Sequence, residues 1–174
     1  MKAQVLCIVA LVALSAAGNA VGGDMVPQSH RGSKELERMK TLAGAWEGVD
    51  TSCMTGQTVR VEYRVTGAGS AVVETLGPGT PQEMVTVYYD KAGALYMTHY
   101  CAIGNRPQMM LKGSTADTID LDLAPGGEVA AEREMHMHSL KITFKGPDKI
   151  VQDWALFDGG QKKSVSTFTL TRVK

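Results

Sequence analysis

Four side chains that can bind a metal or a polar ligand, His99, Cys101, His136 and His138, stand in two short runs, His-Tyr-Cys and His-Met-His. On a β-strand a spacing of two places side chains on one face, with Cα atoms roughly 7 Å apart. Two imidazoles presented in that way can chelate one zinc, copper or iron ion. A third nitrogen from His99, or the thiolate of Cys101, would complete a three-ligand site with an open position. The same groups could instead hydrogen-bond the polar end of an organic ligand, and a single imidazole could hold a haem iron in an apolar cavity. The competing use is structural, since histidines lining the mouth of a barrel also bond to backbone, water or carboxylates. A Cys101 nucleophile with His99 as its base lacks an orienting third group and an oxyanion hole, so no reaction is assigned.

Such a site needs strands to carry it. From Trp46 onward the apolar pattern has period two, and strands are expected at about 46–52, 57–66, 70–76, 83–90, 94–102, 106–113, 117–124, 132–145, 148–157 and 161–172. Turn chemistry separates them, as in Asp90-Lys91-Ala92-Gly93, Gly146-Pro147-Asp148 and Asp158-Gly159-Gly160. No crossover helix interrupts the series. An antiparallel meander of this length has two long edges unless it closes, so the expected fold is all-β, an antiparallel up-and-down barrel of about ten strands. A two-sheet sandwich would need longer connections than these. One short helix precedes the barrel, from about 33 to 43, with Ser33 as N-cap, Leu36 and Met39 on one face and Gly44 as the stop. It is expected to cap the barrel near Trp46.

Strand direction then places the candidates. In a meander, residues late in odd strands and early in even strands share one mouth. His99 and Cys101 end the fifth strand in phase with Leu95 and Met97. His136 and His138 begin the eighth in phase with Leu140, Ile142 and Phe144. Alternation therefore sends both pairs inward at one mouth, where His99, His136 and His138 are expected to converge, with or without a metal. Gln57, Glu83, Asn105 and Arg106 fall near the same rim, and Trp154 somewhat deeper.

Other features carry less chemistry. Cys53 and Cys101 end the first and fifth strands, nearly opposite in a ten-stranded barrel, so they are expected to be free rather than bridged. The ten methionines are dispersed, which suits adaptable packing better than copper binding. Glu74 and Glu83 would be an acid–base pair only if they faced each other, and solvated rim is the simpler expectation. Eighteen Lys and Arg residues balance eighteen Asp and Glu residues without a basic stripe for nucleic acid or a polybasic membrane anchor.

The N-terminus reads as a secretory signal over residues 1–20: Met1 and Lys2, an apolar run at 5–14, then small residues ending in Ala20. Its apolar run is too short to span a bilayer, so no membrane insertion is expected after cleavage. Cys7 would leave with the signal. Residues 21–32, with Gly22, Gly23 and Pro27, read as a flexible leader, and 33–174 as the barrel domain, secreted or periplasmic.

The run Leu42-Ala43-Gly44-Ala45-Trp46-Glu47-Gly48, with Phe168-Thr169-Leu170-Thr171-Arg172 at the last strand, resembles the calycin pattern of lipocalins, fatty-acid-binding proteins and nitrobindin-like barrels. In those families a Gly-x-Trp opens the first strand and a late arginine packs across the Trp at the closed end, which implies structural roles for Gly44, Trp46 and Arg172. The segment from 83 to 110, with Thr98-His99-Tyr100-Cys101 and Gly104-Asn105-Arg106-Pro107, is similar to small exported bacterial lipocalin-like proteins. The expected function is a barrel that takes a small, partly apolar ligand, and strand direction with alternation supplies His99, Cys101, Asn105, Arg106, His136, His138 and Trp154 as the ligand-binding set. A barrel holding a transition metal or haem through the histidines, and a barrel filled by its own side chains, are the alternatives.

Overall fold

The computed structural model describes residues 29–50 and 58–174. Ten strands follow one helix: α1 (Lys34–Lys40), β1 (Gly44–Asp50), β2 (Thr58–Thr66), β3 (Ala71–Leu76), β4 (Met84–Lys91), β5 (Ala94–Tyr100), β6 (Gln108–Ser114), β7 (Thr118–Leu123), β8 (His136–Phe144), β9 (Lys149–Asp158) and β10 (Gln161–Arg172). Each strand pairs antiparallel with its neighbours in sequence, and β1 also pairs with β10, so the sheet closes. This is the expected up-and-down barrel. No edge is left in the ring of strands, which removes the usual template for pairing with other chains.

Alternation explains the interior. Val59, Val61 and Tyr63 of β2, Leu95 and Met97 of β5, Ile119 and Leu121 of β7, and Leu140 and Ile142 of β8 are buried in one core. Intervening residues such as Arg60, Glu62 and Lys141 are exposed. The register shifts by one residue in three places, at 111–113 of β6, 137–139 of β8 and 162–164 of β10. Such bulges bend a strand and reset which face each later residue takes.

The helix is shorter than its sequence pattern. It ends at Lys40, capped by Thr41, because the chain must turn to deliver Trp46 into the barrel. Ser33 accepts from the Leu36 N–H at 3.1 Å and donates to Asp90 Oδ1 at 2.8 Å, tying the N-cap to the end of β4. Leu36 and Met39 are fully buried. Trp46 donates from Nε1 to the Leu42 carbonyl at 2.7 Å. Arg172 lies over the indole, its guanidinium carbon 4.3 Å from the ring centroid, and donates to the carbonyls of Ala43 at 2.7 Å and Thr41 at 2.8 Å. Gly44, instead of stopping the helix, opens β1 at φ +124°. A methyl group there would be strained and would lie 3.2 Å from the arginine. The three residues of the terminal motif thus form one plug at the closed end.

Candidate functional site

Register builds a polar belt inside the barrel. Tyr63 of β2 pairs with Glu74 of β3, Glu74 with Thr86 of β4, and Thr86 with His99 of β5. All four side chains are buried, and Gln152 and Trp154 of β9 are buried with them. Tyr88 donates to Glu74 Oε2 at 2.6 Å, and Gln152 Nε2 donates to Glu74 Oε1 at 3.1 Å and to the Tyr63 hydroxyl at 2.5 Å. Trp154 Nε1 completes the chain by donating to Gln152 Oε1 at 3.1 Å. Burial pushes the Glu74 carboxyl above its ordinary range, against the hydrogen bonds from Tyr88, Gln152 and Tyr63 that favour its anion. Burial first, and Glu74 second, hold the two tyrosines well above their usual value.

His99 ends this row. Its Nδ1 shares a hydrogen bond of 2.9 Å with the Thr86 hydroxyl, and its ring lies against Trp154 with centroids 4.6 Å apart. The residue is 2 % exposed, and Nε2 is buried with no hydrogen-bond partner. Burial pushes its pKa down to about 4. A buried polar atom left unpaired is uncommon, because it forfeits its bond to water without a replacement.

Towards the mouth is a hollow of about 230 Å³ bounded on one side by Val59, Leu76, Met84 and Phe168 and on the other by Arg60 and the β3–β4 turn, with no belt residue in its lining. Leu76 pairs with Met84 two residues nearer the mouth than the Glu74–Thr86 pair. The hollow therefore stands one side-chain repeat, roughly 7 Å, above the belt.

The remaining predicted residues divide. Cys101 is a free thiol, donating weakly to Met84 Sδ at 3.9 Å, and burial raises its pKa, which disfavours the thiolate. Its suggested counterpart Cys53 lies outside the described residues, as does Gln57. Asn105 donates to the Met135 carbonyl at 2.7 Å and to Glu134 Oε1 at 3.1 Å. Arg106 is largely exposed and pairs with Glu128 at 2.5 Å. These two residues fasten the β5–β6 loop to the segment before β8. With Glu83, whose carboxylate accepts from the Gly79 N–H at 2.6 Å, they line an open depression on the rim. Glu74 and Glu83 form no pair, since the first is in the belt and the second at the rim.

His138 departs from the expected face, while His136 is fully buried but lies across a bulge from Leu140 and Ile142. His136 pairs with Phe157, Met137 with Leu156, and Ser139 with Ala155, so His138 is the extra residue of a bulge. One added residue breaks the phase with Leu140 and Ile142. Met137 instead packs against the core. His136 Nδ1 bonds the Glu134 carbonyl at 2.7 Å, and its Nε2 meets His138 Nδ1 at 2.9 Å. His138 stacks on Phe157 at 3.9 Å, with Nε2 3.6 Å from Asp122, beside the outward pair of Lys112 and Asp122. Burial lowers the His138 pKa, with Asp122 opposing. The two histidines share no partner with His99. Among the described residues, no group of three or more His, Cys, Asp or Glu side chains is placed to hold a metal ion.

Tyr63, Tyr88 and Gln152 are not among the expected site residues, and Glu74, expected on the solvated rim, is instead buried. Their signal was present as phase: Glu74 falls between Val72 and Leu76, Tyr63 follows Val59 and Val61, and Gln152 lies between Ile150 and Trp154. A closed antiparallel barrel of ten strands, plugged at one end and carrying a buried polar belt, is an architecture consistent with the calycin class. A scan against protein-family models finds no match, and neither does a search of curated proteins.

Proposed function

We propose that the protein is an exported barrel that binds a small, partly apolar molecule through its open end. The observation that carries this reading is His99 Nε2, buried and unpaired in a polar belt beneath an apolar hollow. A nitrogen left unpaired among bonded neighbours calls for a partner from outside the polypeptide. In this reading His99 and Trp154 meet the polar end of the ligand, Val59, Leu76, Met84 and Phe168 receive the rest, and Cys101, Asn105 and Arg106 shape the rim. His136 and His138 stand apart and lock the start of β8. The signal-like N-terminus supports secretion or a periplasmic location, and the balanced charge supports a small-molecule partner rather than nucleic acid.

Haem suits His99 poorly. An iron needs the Nε2 lone pair, which puts the ring proton on Nδ1 and leaves the Thr86 hydroxyl hydrogen without an acceptor.

Trp154 supplies the test. Trp46→Phe leaves it as the sole tryptophan, beside the proposed site. Titration with the apolar fluorophore 1-aminoanthracene should quench Trp154 saturably at one site per chain. An absorbance spectrum and metal analysis of freshly purified protein should show neither a Soret band nor stoichiometric metal. Absence of saturable quenching would leave the filled structural barrel as the better account.

A further inference from the structure

The hydrogen-bond inventory around His99 says more than that a ligand binds. A neutral imidazole carries one proton, on Nδ1 or on Nε2. His99 Nδ1 is bonded only to the Thr86 hydroxyl, at 2.9 Å, and Thr86 is itself buried with no other hydrogen bond shown. If Nδ1 held the proton, it would donate to Thr86 Oγ1. The hydroxyl hydrogen would then lack an acceptor and Nε2 would be an empty acceptor, giving two unsatisfied groups. If Nε2 holds the proton, the hydroxyl donates to Nδ1 and only the Nε2–H is left over. The second arrangement leaves fewer groups unpaired, and in a low-dielectric interior it is favoured. The unpaired Nε2 is therefore a donor, and what pairs with it is an acceptor.

The surroundings decide the charge of that acceptor. Among the described residues the belt contains Glu74 and no cation, its other members being Tyr63, Tyr88, Gln152, Thr86 and Trp154; Arg60, which borders the hollow, is engaged by Glu62 and Glu47. Arg172 is engaged at the closed end by Trp46 and backbone carbonyls. An anion brought to His99 would be desolvated without a counter-charge, close to a buried carboxyl group. Burial also keeps the His99 ring neutral through the neutral pH range, so the imidazole supplies no positive charge. Building on the proposed binding function, we infer that the ligand is an uncharged molecule with an apolar body and one carbonyl-type acceptor, held by a hydrogen bond from His99 Nε2–H. The apolar body occupies the hollow of Val59, Leu76, Met84 and Phe168. This separates the barrel from carriers that hold a carboxylate on an arginine.

Three probes of equal chain length test the inference: nonan-2-one, nonane and nonanoate, titrated at pH 7.5 against the Trp46→Phe protein with Trp154 fluorescence as readout. The ketone should bind about tenfold more tightly than the alkane, the worth of one buried hydrogen bond, and more tightly than the carboxylate. His99→Phe in the same background keeps a ring against Trp154 and should reduce the ketone-to-alkane ratio to about one. In the unsubstituted protein, nitrogen NMR of His99 should show the Nε2–H tautomer, its resonance moving when ketone is added. Nonanoate binding tightest, ketone and alkane binding alike, or an Nδ1–H tautomer would each overturn the inference and leave small-molecule binding intact. If none of the three probes nor 1-aminoanthracene binds, the proposed function itself falls. Should His99→Phe fail to fold, the three-probe ranking and the tautomer still decide the matter.

Discussion

Glu74 and His99 are the two residues whose burial shapes the chemistry of the interior, and they respond to pH in opposite senses. His99 is held near 4 in the folded protein against an ordinary value of about 6.5 when unfolded. Between those values the unfolded chain binds the proton and the folded chain does not. Stability from this residue is therefore complete above about 6.5 and is lost as pH falls towards 4, by at most about 3 kcal/mol. Glu74 holds its proton longer when folded than when unfolded, so its contribution is present at low pH and is lost as pH rises through the raised pKa. His99→Phe should flatten the fall in urea midpoint between pH 6.5 and 4.5; an unchanged slope would show that His99 is not desolvated. Glu74→Leu removes the acceptor of Tyr88 and one acceptor of Gln152. It should cost about 2–4 kcal/mol, read as a lower urea midpoint with the same m-value.

At the scale of the element, β1 closes the ring by pairing on both sides, and Gly48 permits it. A Cβ there would stand 1.8 Å from the Thr169 carbonyl oxygen of β10, closer than any real contact, and backbone cannot move aside as a flexible side chain can. Gly48→Ala should push β1 from β10, with a loss of about 3 kcal/mol by the usual range for overpacking. Thermal unfolding measures the loss, and hydrogen exchange should quicken at the β1–β10 seam before it does at β4–β5. Equal quickening everywhere would mean that the seam is not where the strain falls. The bulge in β8 works in the other direction, using one additional residue to turn Met137 towards the core and His138 towards Asp122.

For the whole molecule, the closed end is a single assembly of α1, Trp46 and Arg172, joined to the barrel through Asp90 and the carbonyls of Thr41 and Ala43. Trp46→Ala should cost about 3–5 kcal/mol, because it empties the base of the core and removes the ring beneath Arg172. Circular dichroism and tryptophan fluorescence should still report one coincident transition, as expected when a single core unfolds together. Separate transitions would mean that the plug and the barrel melt independently.

The sequence by itself determined the number of strands, their order and the plug. Alternation and turn chemistry are local: each strand writes its own buried face, each Gly-rich turn reverses the chain, and Ser33 caps α1 with a residue three positions away. Gly44, Trp46 and Arg172 were legible through the resemblance of two short runs, at the first and last strands, to the calycin pattern. The belt was not legible in this way. Glu74 meets Gln152 across 78 positions of sequence, and alternation tells which face a side chain takes without telling its depth or its neighbours. Nor was the break in phase between His136 and Leu140 at His138 visible, since a bulge belongs to the pairing of β8 with β9 and not to either strand alone. Register and ring closure are properties of all ten strands at once, and they alone decided that His99, rather than a trio of histidines, stands unpaired beneath the apolar hollow.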